Sequence, residues 1–279
     1  MGLTINTNVA SLGAQRNLSK TQRMMEGNLG RLSSGLRINK AADDAAGLGI
    51  SEKMRAAIRG YAQASRNAND GVSMIQVAEG AMNEQAGILT RLRELAIQSA
   101  NGTVGANERA FIDAEAKELI AEVDRIAAVT DFNGVKVLST GAAVSMQVDI
   151  NATTNDSISV AFAKTDSVSL TVAYKTDVDL KTSAATAQSA LAKIDAAINS
   201  LSTSRSTIGA TQNRLVVTIN NLSSSHENLS AANSRIRDVD VAVETAEMTR
   251  NQIMSQAGIA VLSQANQLPS MALSLLGAR

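Results

Sequence analysis

The chain has 279 residues, 26 Lys and Arg against 26 Asp and Glu, no Cys, no Trp, one His, one Pro and 2% aromatic residues. These numbers exclude zinc fingers, iron–sulfur clusters, disulfide frameworks, Cys nucleophiles and multi-His metal sites, and they offer neither a basic footprint nor a stacking platform for nucleic acid. The hydrophobic 44% is mostly Ala, Leu, Ile and Val, which suits thin cores in which helices approach closely.

Neither a secretory leader nor a membrane span is expected. The first thirty residues lack the apolar block of a signal peptide, and no stretch nears the roughly 20 apolar residues that cross a bilayer. Met1-Gly2 invites myristoylation, but position six is Asn6 rather than Ser or Thr. Leu18, Met25, Leu29, Leu32 and Leu36 hold helical spacing and predict an amphipathic helix, weakened by Gly13, Gly27, Gly30 and Gly35. Ile75, Ala78, Met82, Gln85, Leu89, Leu92 and Ala96 alternate three and four apart, as do Ile112, Ala116, Leu119, Val123 and Ile126. The turn-rich break from Asn101 to Asn107 lets the second helix fold back antiparallel on the first.

The middle of the chain changes period. Val144, Met146, Val148 and Ile150 alternate with polar residues, then Ile158, Val160 and Phe162, then Val168, Leu170, Val172 and Tyr174. Period two means strands with one buried face, so Val135 to Tyr174 reads as a small antiparallel sheet of hairpins, with turns at Asn151 to Asp156 and Lys164 to Ser167. Such a sheet is too small to stand alone and is expected to pack on the bundle.

Heptad spacing then returns in its strongest form. Ala187, Leu191, Ile194, Ile198, Leu201, Arg205, Ile208, Gln212, Leu215, Ile219, Leu222, His226 and Leu229 form a sustained seam, and at about 1.5 Å per residue their helix would be about 65 Å long. Met254, Val261, Ala265, Leu268, Ala272 and Leu275 carry a weaker stripe at the end of the chain. Neither terminal stripe can bury itself, so the two ends are expected to pair with each other or with neighbouring copies. The fold class is therefore mainly α: a long antiparallel coiled-coil-like bundle of three long helices, with a small β-hairpin region in the middle of the chain.

Candidate chemistry is sparse. His226 is the one side chain that titrates near neutrality unperturbed, but it occupies a seam position, where polar residues such as Arg205 and Gln212 set register or reach the edge. Asp43-Asp44 with Glu52, and Asp238 with Asp240, match no calcium loop; acidic residues at helix starts cap them and oppose the dipole. Gly47-Leu48-Gly49 follows no strand and lacks the Lys and Ser/Thr of a phosphate loop. The Asn-X-Ser/Thr triplets at Asn17, Asn101, Asn151, Asn155, Asn221 and Asn228 are chance matches without a secretory leader, while Thr153 to Ser169 offers hydroxyls for O-linked sugar. No catalytic, cofactor-binding or metal site is assigned.

Several blocks resemble bacterial flagellin: Ile5-Asn6-Thr7-Asn8-Val9, Leu32-Ser33-Ser34-Gly35-Leu36-Arg37-Ile38-Asn39, Ala41-Ala42-Asp43-Asp44-Ala45-Ala46-Gly47-Leu48, Asn69-Asp70-Gly71, Arg91-Leu92-Arg93-Glu94-Leu95-Ala96 and Phe132-Asn133-Gly134-Val135-Lys136-Val137-Leu138. Near the C-terminus, Arg235-Ile236-Arg237-Asp238-Val239-Asp240 and Ser263-Gln264-Ala265-Asn266-Gln267 to Leu275-Leu276 are similar to that family's closing signature. The resemblance implies a structural subunit that polymerises with itself into the secreted, extracellular flagellar filament used for swimming. Its domains would be residues 1-40 with 235-279 as an inner terminal-helix domain, and 41-234 as a bundle including hairpins at about 133-180. About Ser139 to Ser183 would stand in place of the large outer domains that some members carry.

The same resemblance implies an export chaperone, a filament cap and hook–filament junction proteins as partners. It also implies a Toll-like innate immune receptor that contacts Arg91, Leu95 and Glu115 on the released monomer. Leu18, Met25, Leu29, Leu32, Leu36, Met254, Val261, Leu268 and Leu275 would be the polymerisation stripe. A hook–filament junction protein and an exported enzyme on a coiled-coil stalk are the alternatives; the short central strands supply no nucleophile–base pair for the latter. A chain with no Cys, the single Pro269 and few bulky aromatics also suits threading unfolded through a narrow type III export channel and rapid refolding beyond it.

Overall fold

The structure is a computed structural model that describes the backbone of residues 7–151 and 153–276 and the side chains through Gln267. Five helices carry the fold: α1 (Val9–Ser34), α2 (Ala45–Ala100), α3 (Ala106–Val129), α4 (Ala184–Arg237) and α5 (Val241–Leu276). Four short strands, β1 (Asp131–Phe132), β2 (Val135–Lys136), β3 (Ala143–Gln147) and β4 (Ser157–Ala161), lie between α3 and α4. The chain divides into two compact units, residues 1–56 with 228–279 and residues 57–227, and both α2 and α4 contribute to each.

The helix limits follow from local hydrogen bonding. Asn8 caps α1 by accepting from the Ser11 N–H at 3.0 Å, and Gly35, left-handed at φ 70°, ends it. Asp44 accepts from the Gly47 N–H at 2.8 Å at the start of α2, Ser183 Oγ accepts from the Thr186 N–H before α4, and Asp240 accepts from the Ala242 and Val243 N–H groups at the start of α5. Asp44 and Asp240 thus serve as helix caps, the bland role that their positions suggest. Asn101 turns the chain between α2 and α3, its backbone carbonyl accepting from Val104 and its side chain from Thr103.

In the unit of residues 57–227, the α2 and α3 segments are antiparallel, since Gln85 reaches the Val123 carbonyl while Arg91 reaches Glu115. The α2 and α4 segments are antiparallel as well, with Arg93 bonded to Asp195 and Arg205 facing Glu79. All seven α2 seam residues from Ile75 to Ala96 are buried, together with Ile112, Ala116, Ile120 and Val123 of α3. Gln85 is a polar member of this core; its Nε2 donates to the carbonyls of Val123 and Thr165 at 3.1 and 3.2 Å, tying α2 to α3 and to the loop before α4.

On α4 the heptad column Ala187, Ile194, Leu201, Ile208, Leu215 and Leu222 is buried. The other half of the expected seam, Leu191, Ile198, Arg205, Gln212, Ile219 and His226, is only half-buried. The second column turned inward is Ala190, Ala197 and Thr211, whose small side chains let the helices approach closely. Size decides this rotation, because two columns of large side chains would hold the helices farther apart.

The β region differs from a single sheet. β1 and β2 form a hairpin through Asn133 and Gly134, both at positive φ (50° and 80°), the conformation that Asn-Gly adopts in a tight two-residue turn. β3 and β4 form a second antiparallel hairpin with Val144 opposite Val160 and Met146 opposite Ile158, which places its apolar residues on one face. Val148 and Ile150 fall beyond β3, and Phe162 beyond β4.

The expected third strand, Val168 to Tyr174, is a run of turns. The Leu170 N–H donates to the Asp166 carbonyl, Val172 to Ser167, and Thr171 is left-handed at φ 58°. Asp124 of α3 accepts from both the N–H and hydroxyl of Ser167 at 2.7 and 2.9 Å, so side-chain anchoring at the start of the segment outcompetes strand pairing. Leu170 and Val172 are still buried, so the alternation records burial in a coil.

Leu92→Ala removes a fully buried side chain and is expected to cost about 2–5 kcal/mol, while Val217→Ala, 68% exposed, stays within about 0.5 kcal/mol. Urea unfolding followed by helical circular dichroism measures both; equal effects would contradict the assignment of the core.

Candidate functional site: the paired terminal helices

In the unit of residues 1–56 and 228–279, α1 and α5 lie antiparallel. The Asn8 amide donates to the Ala265 carbonyl and the Ser11 hydroxyl to Asn266 Oδ1, both at 2.8 Å. Leu18 faces Gly258, where an added Cβ would sit 3.4 Å from Leu18 Cδ1. Farther along, buried Asn28, with its amide oriented to suit its neighbours, donates to Glu244 and the Met24 carbonyl and accepts from the Met248 N–H and Asn251. The pairing thus rests on small residues and buried amides as much as on apolar contact.

The expected stripe is split by this pairing. Leu18, Met25, Leu32 and Leu36 are half-buried, whereas Leu29, Met254 and Val261 are 61%, 56% and 59% exposed. The side chains of Leu268 and Leu275 lie outside the described residues. Val9, Leu12, Val241, Val243, Ile253 and Ile259 are also exposed, and the single-stripe reading missed them. One sequence signal marks the α5 surface: between Arg250 and Arg279 there is no charged residue. Contiguous apolar exposure is a recognised mark of interaction surfaces.

A clasp fixes the chain beside this pair. The Arg37 N–H donates to the Arg237 carbonyl at 2.7 Å, the Arg37 guanidinium to the Ile236 carbonyl at 2.7 Å, and the Val239 N–H to the Gly35 carbonyl at 3.0 Å. Arg237 Nη1 reaches Glu52 at 2.6 Å and the Ser51 hydroxyl at 3.3 Å. Arg31 lies 3.9 Å from Asp43 and 3.6 Å from Glu244. The N–H groups of Lys40 and Asn39 hold the Asp43 carboxyl below its ordinary range, and the hydrogen bond from Arg237 does the same for Glu52. Asp43 and Glu52 therefore act as anchors of this turn. Among the described residues, no group of three or more His, Cys, Asp or Glu side chains is placed to hold a metal ion.

The remaining residues named from the sequence lie in the unit of residues 57–227. His226 is half-buried and lines a shallow groove with Tyr61, Ser65 and Leu222. Arg91 Nε and Nη2 both donate to Glu115 Oε1, at 2.9 and 2.8 Å, and Nη1 reaches Glu94 at 3.1 Å. The fold brings Arg91 and Glu115 together on an exposed surface, while Leu95 is 1% exposed and packed in the core beneath.

Residues 5–143 match the family model of the bacterial flagellin N-terminal helical region, and residues 191–276 that of its C-terminal helical region. The chain is 46% identical over 278 residues to a flagellin of Halalkalibacterium halodurans, covering 98% of this chain and 100% of that one. It is 42% identical to a flagellin of Bacillus subtilis and 42% identical to the flagellar filament 33 kDa core protein of Treponema phagedenis, in each case over 98% of this chain and the whole relative. The crystal structure of Bacillus cereus flagellin is similar with a TM-score of 0.50 at 34% identity, over 60% of this chain and 94% of that one.

Because the Glu52 carboxyl is depressed in the folded chain, its contribution to the clasp is complete above the ordinary carboxylate range and is lost as pH falls through the lowered titration. The NMR-detected titration of Glu52 is expected below that of a free Glu side chain, and Arg237→Ala is expected to return it towards the ordinary value. An unshifted titration in the unmodified chain would remove the Arg237–Glu52 link from the clasp.

Proposed function

The chain belongs to the bacterial flagellin family, and we propose that its paired terminal helices are the surface through which copies join. It is a structural subunit of the flagellar filament rather than an enzyme, and it assembles with itself into the homopolymer of that extracellular filament. The observation that carries the assignment of the surface is the apolar side chains that α1 and α5 leave exposed after pairing with each other. Residues 1-40 with 235-279 form the inner domain of this reading and residues 41-234 the bundle domain, with Leu18, Met25, Leu29, Leu32, Leu36, Met254, Val261, Leu268 and Leu275 on the polymerising helices.

Copies joined through two different patches do not close on themselves, and repetition of one such contact gives an open helical tube. Helices that bury only part of their apolar surface within a chain are stabilised when neighbours cover the rest, which couples their final ordering to assembly. The subunit reaches the filament by export through a narrow channel, and an export chaperone, a filament cap and hook–filament junction proteins are its partners on that route. Absence of Cys supports this reading, since no disulfide can trap the unfolded chain in transit.

Val261→Asp places a charge on the exposed face of α5 and is expected to abolish seeded elongation while leaving the helical circular dichroism and melting of the monomer unchanged. Elongation at the unmodified rate would remove this face from the interface. On the released monomer, Arg91 and Glu115, with Leu95 supporting them from beneath, are the proposed contact for a Toll-like receptor. A receptor reporter assay is expected to respond to the monomer and to lose at least about tenfold in potency with Arg91→Ala; silence at saturating monomer would reject the contact.

A further inference from the structure

Phe111 is 74% exposed, the highest value among the large hydrophobic side chains of the described residues. It sits in the second turn of α3, and Glu108, Glu115, Glu118 and Glu122 recur at intervals of three and four on the same face. Arg91 engages Glu115 and Arg125 engages Glu122, so among the described residues Glu108 and Glu118 are the carboxylates beside the ring that no ion pair holds. An aromatic ring held in water on a rigid helix, flanked by charge, has the form of an interface anchor.

The same unit also carries a hole. An open groove of about 500 Å³ runs between the β3–β4 hairpin and α4. Val148, Ile158 and the 68%-exposed Val217 give it an apolar lining, Arg214 stands on its α4 side and Asp149 on its hairpin side. Asp149 accepts from the Ile150 N–H at 2.7 Å, while no ion pair holds Arg214 among the described residues.

We propose that this groove receives Phe111 of a second copy of the chain, with Glu118 of that copy turned to Arg214 and away from Asp149. The inference rests on the filament reading above and assigns a specific contact within it. Knob and hole cannot meet in one chain. The Arg91–Glu115 and Arg93–Asp195 pairs put Phe111 level with the beginning of α4, whereas the groove lies at Asn213 to Thr218. At 1.5 Å per residue, the offset is about 35 Å along the helices. A copy displaced by that distance brings its groove level with the first copy's ring, and its own ring level with the groove of a third. The contact is heterologous and open, the type an endless polymer requires.

The absence of native Cys makes the test direct. A chain carrying F111C and a chain carrying V217C are mixed into unmodified subunits, polymerised from seeds and oxidised in air. A disulfide-linked dimer is expected in filaments that contain both chains, and none in filaments with F111C alone or in the dilute unpolymerised mixture. Filaments that incorporate both chains without forming the dimer would overturn the proposal. Exclusion of both chains from filaments, with normal monomer melting, would support both positions as contact residues. In a second arm, Phe111→Ser is expected to slow seeded elongation by about tenfold or more with the monomer's melting unchanged; an unchanged rate would overturn the contact. If the unmodified chain makes no polymer, the filament reading itself fails.

Discussion

Ile194, Leu201, Ile208 and Leu215 recur every seven residues along α4, and closure of that column in the core shared with α2, α3 and the β3–β4 hairpin is the interaction on which the unit of residues 57–227 depends. The core is thin. It is built from single aliphatic side chains meeting across closely spaced helices, with Ala116 and Ala127 of α3 and Ala190 and Ala197 of α4 allowing the approach. The β3–β4 hairpin and the coil before α4 join the same core through Met146, Ile158, Val160, Leu170 and Val172. Asp113, buried on α3, accepts from the Tyr174 hydroxyl at 2.8 Å and from the Leu180 N–H at 3.2 Å, and its hydrogen bond raises the Tyr174 phenol above the ordinary tyrosine range. A short irregular segment is thereby fixed to a helix without strand pairing.

Helices with a complete apolar face were legible in the sequence because burial and periodicity coincide there. Every expected α2 seam residue is buried, Gln85 included, and the break at Asn101 is the turn it resembles. Legibility failed where another interaction took control. On α4, a pattern built on large residues pointed to Leu191, Ile198 and Ile219, whereas the inner column belongs to Ala190, Ala197 and Thr211, whose value lies in being small. From Val168 to Tyr174, anchoring of Ser167 by Asp124 replaced the strand, and no local pattern can show a carboxylate supplied from 43 residues away. The Asn133-Gly134 hairpin escaped a reading that began the sheet at Val135, because hydrophobic alternation does not detect strands of two residues.

At the terminal helices the difference has a functional meaning. Heptad logic assumes that a stripe is covered by the chain that carries it. The α1–α5 pair covers the side around Leu18, Met25 and Leu32 and leaves Leu29, Met254 and Val261 in water. The family resemblance pointed to these two helices, while the distribution of exposure between their two sides needed the paired geometry. The clasp was less visible still. Its backbone links run from Arg37 to Arg237 and from Val239 to Gly35, and its carboxylates, which match no calcium loop, are anchors for Arg237 and for the turn at Lys40.

Charge separates the faces of the terminal pair further. Arg16, Lys20 and Arg23 lie at helical spacing on an exposed face of α1, whereas α5 has no charge on either face beyond Arg250. Two copies related by a twofold axis through the α1 face would set cation against cation, an arrangement that costs free energy in a partly dehydrated contact. The exposed Val and Ile residues of α5 carry no such penalty, so in the proposed filament α5 would accept a neighbour more readily than the cationic face of α1. Cations among the exposed apolar residues of α1 thus disfavour the twofold pairing that would close a dimer, and in the proposed filament copies would meet through repeated, displaced contacts instead.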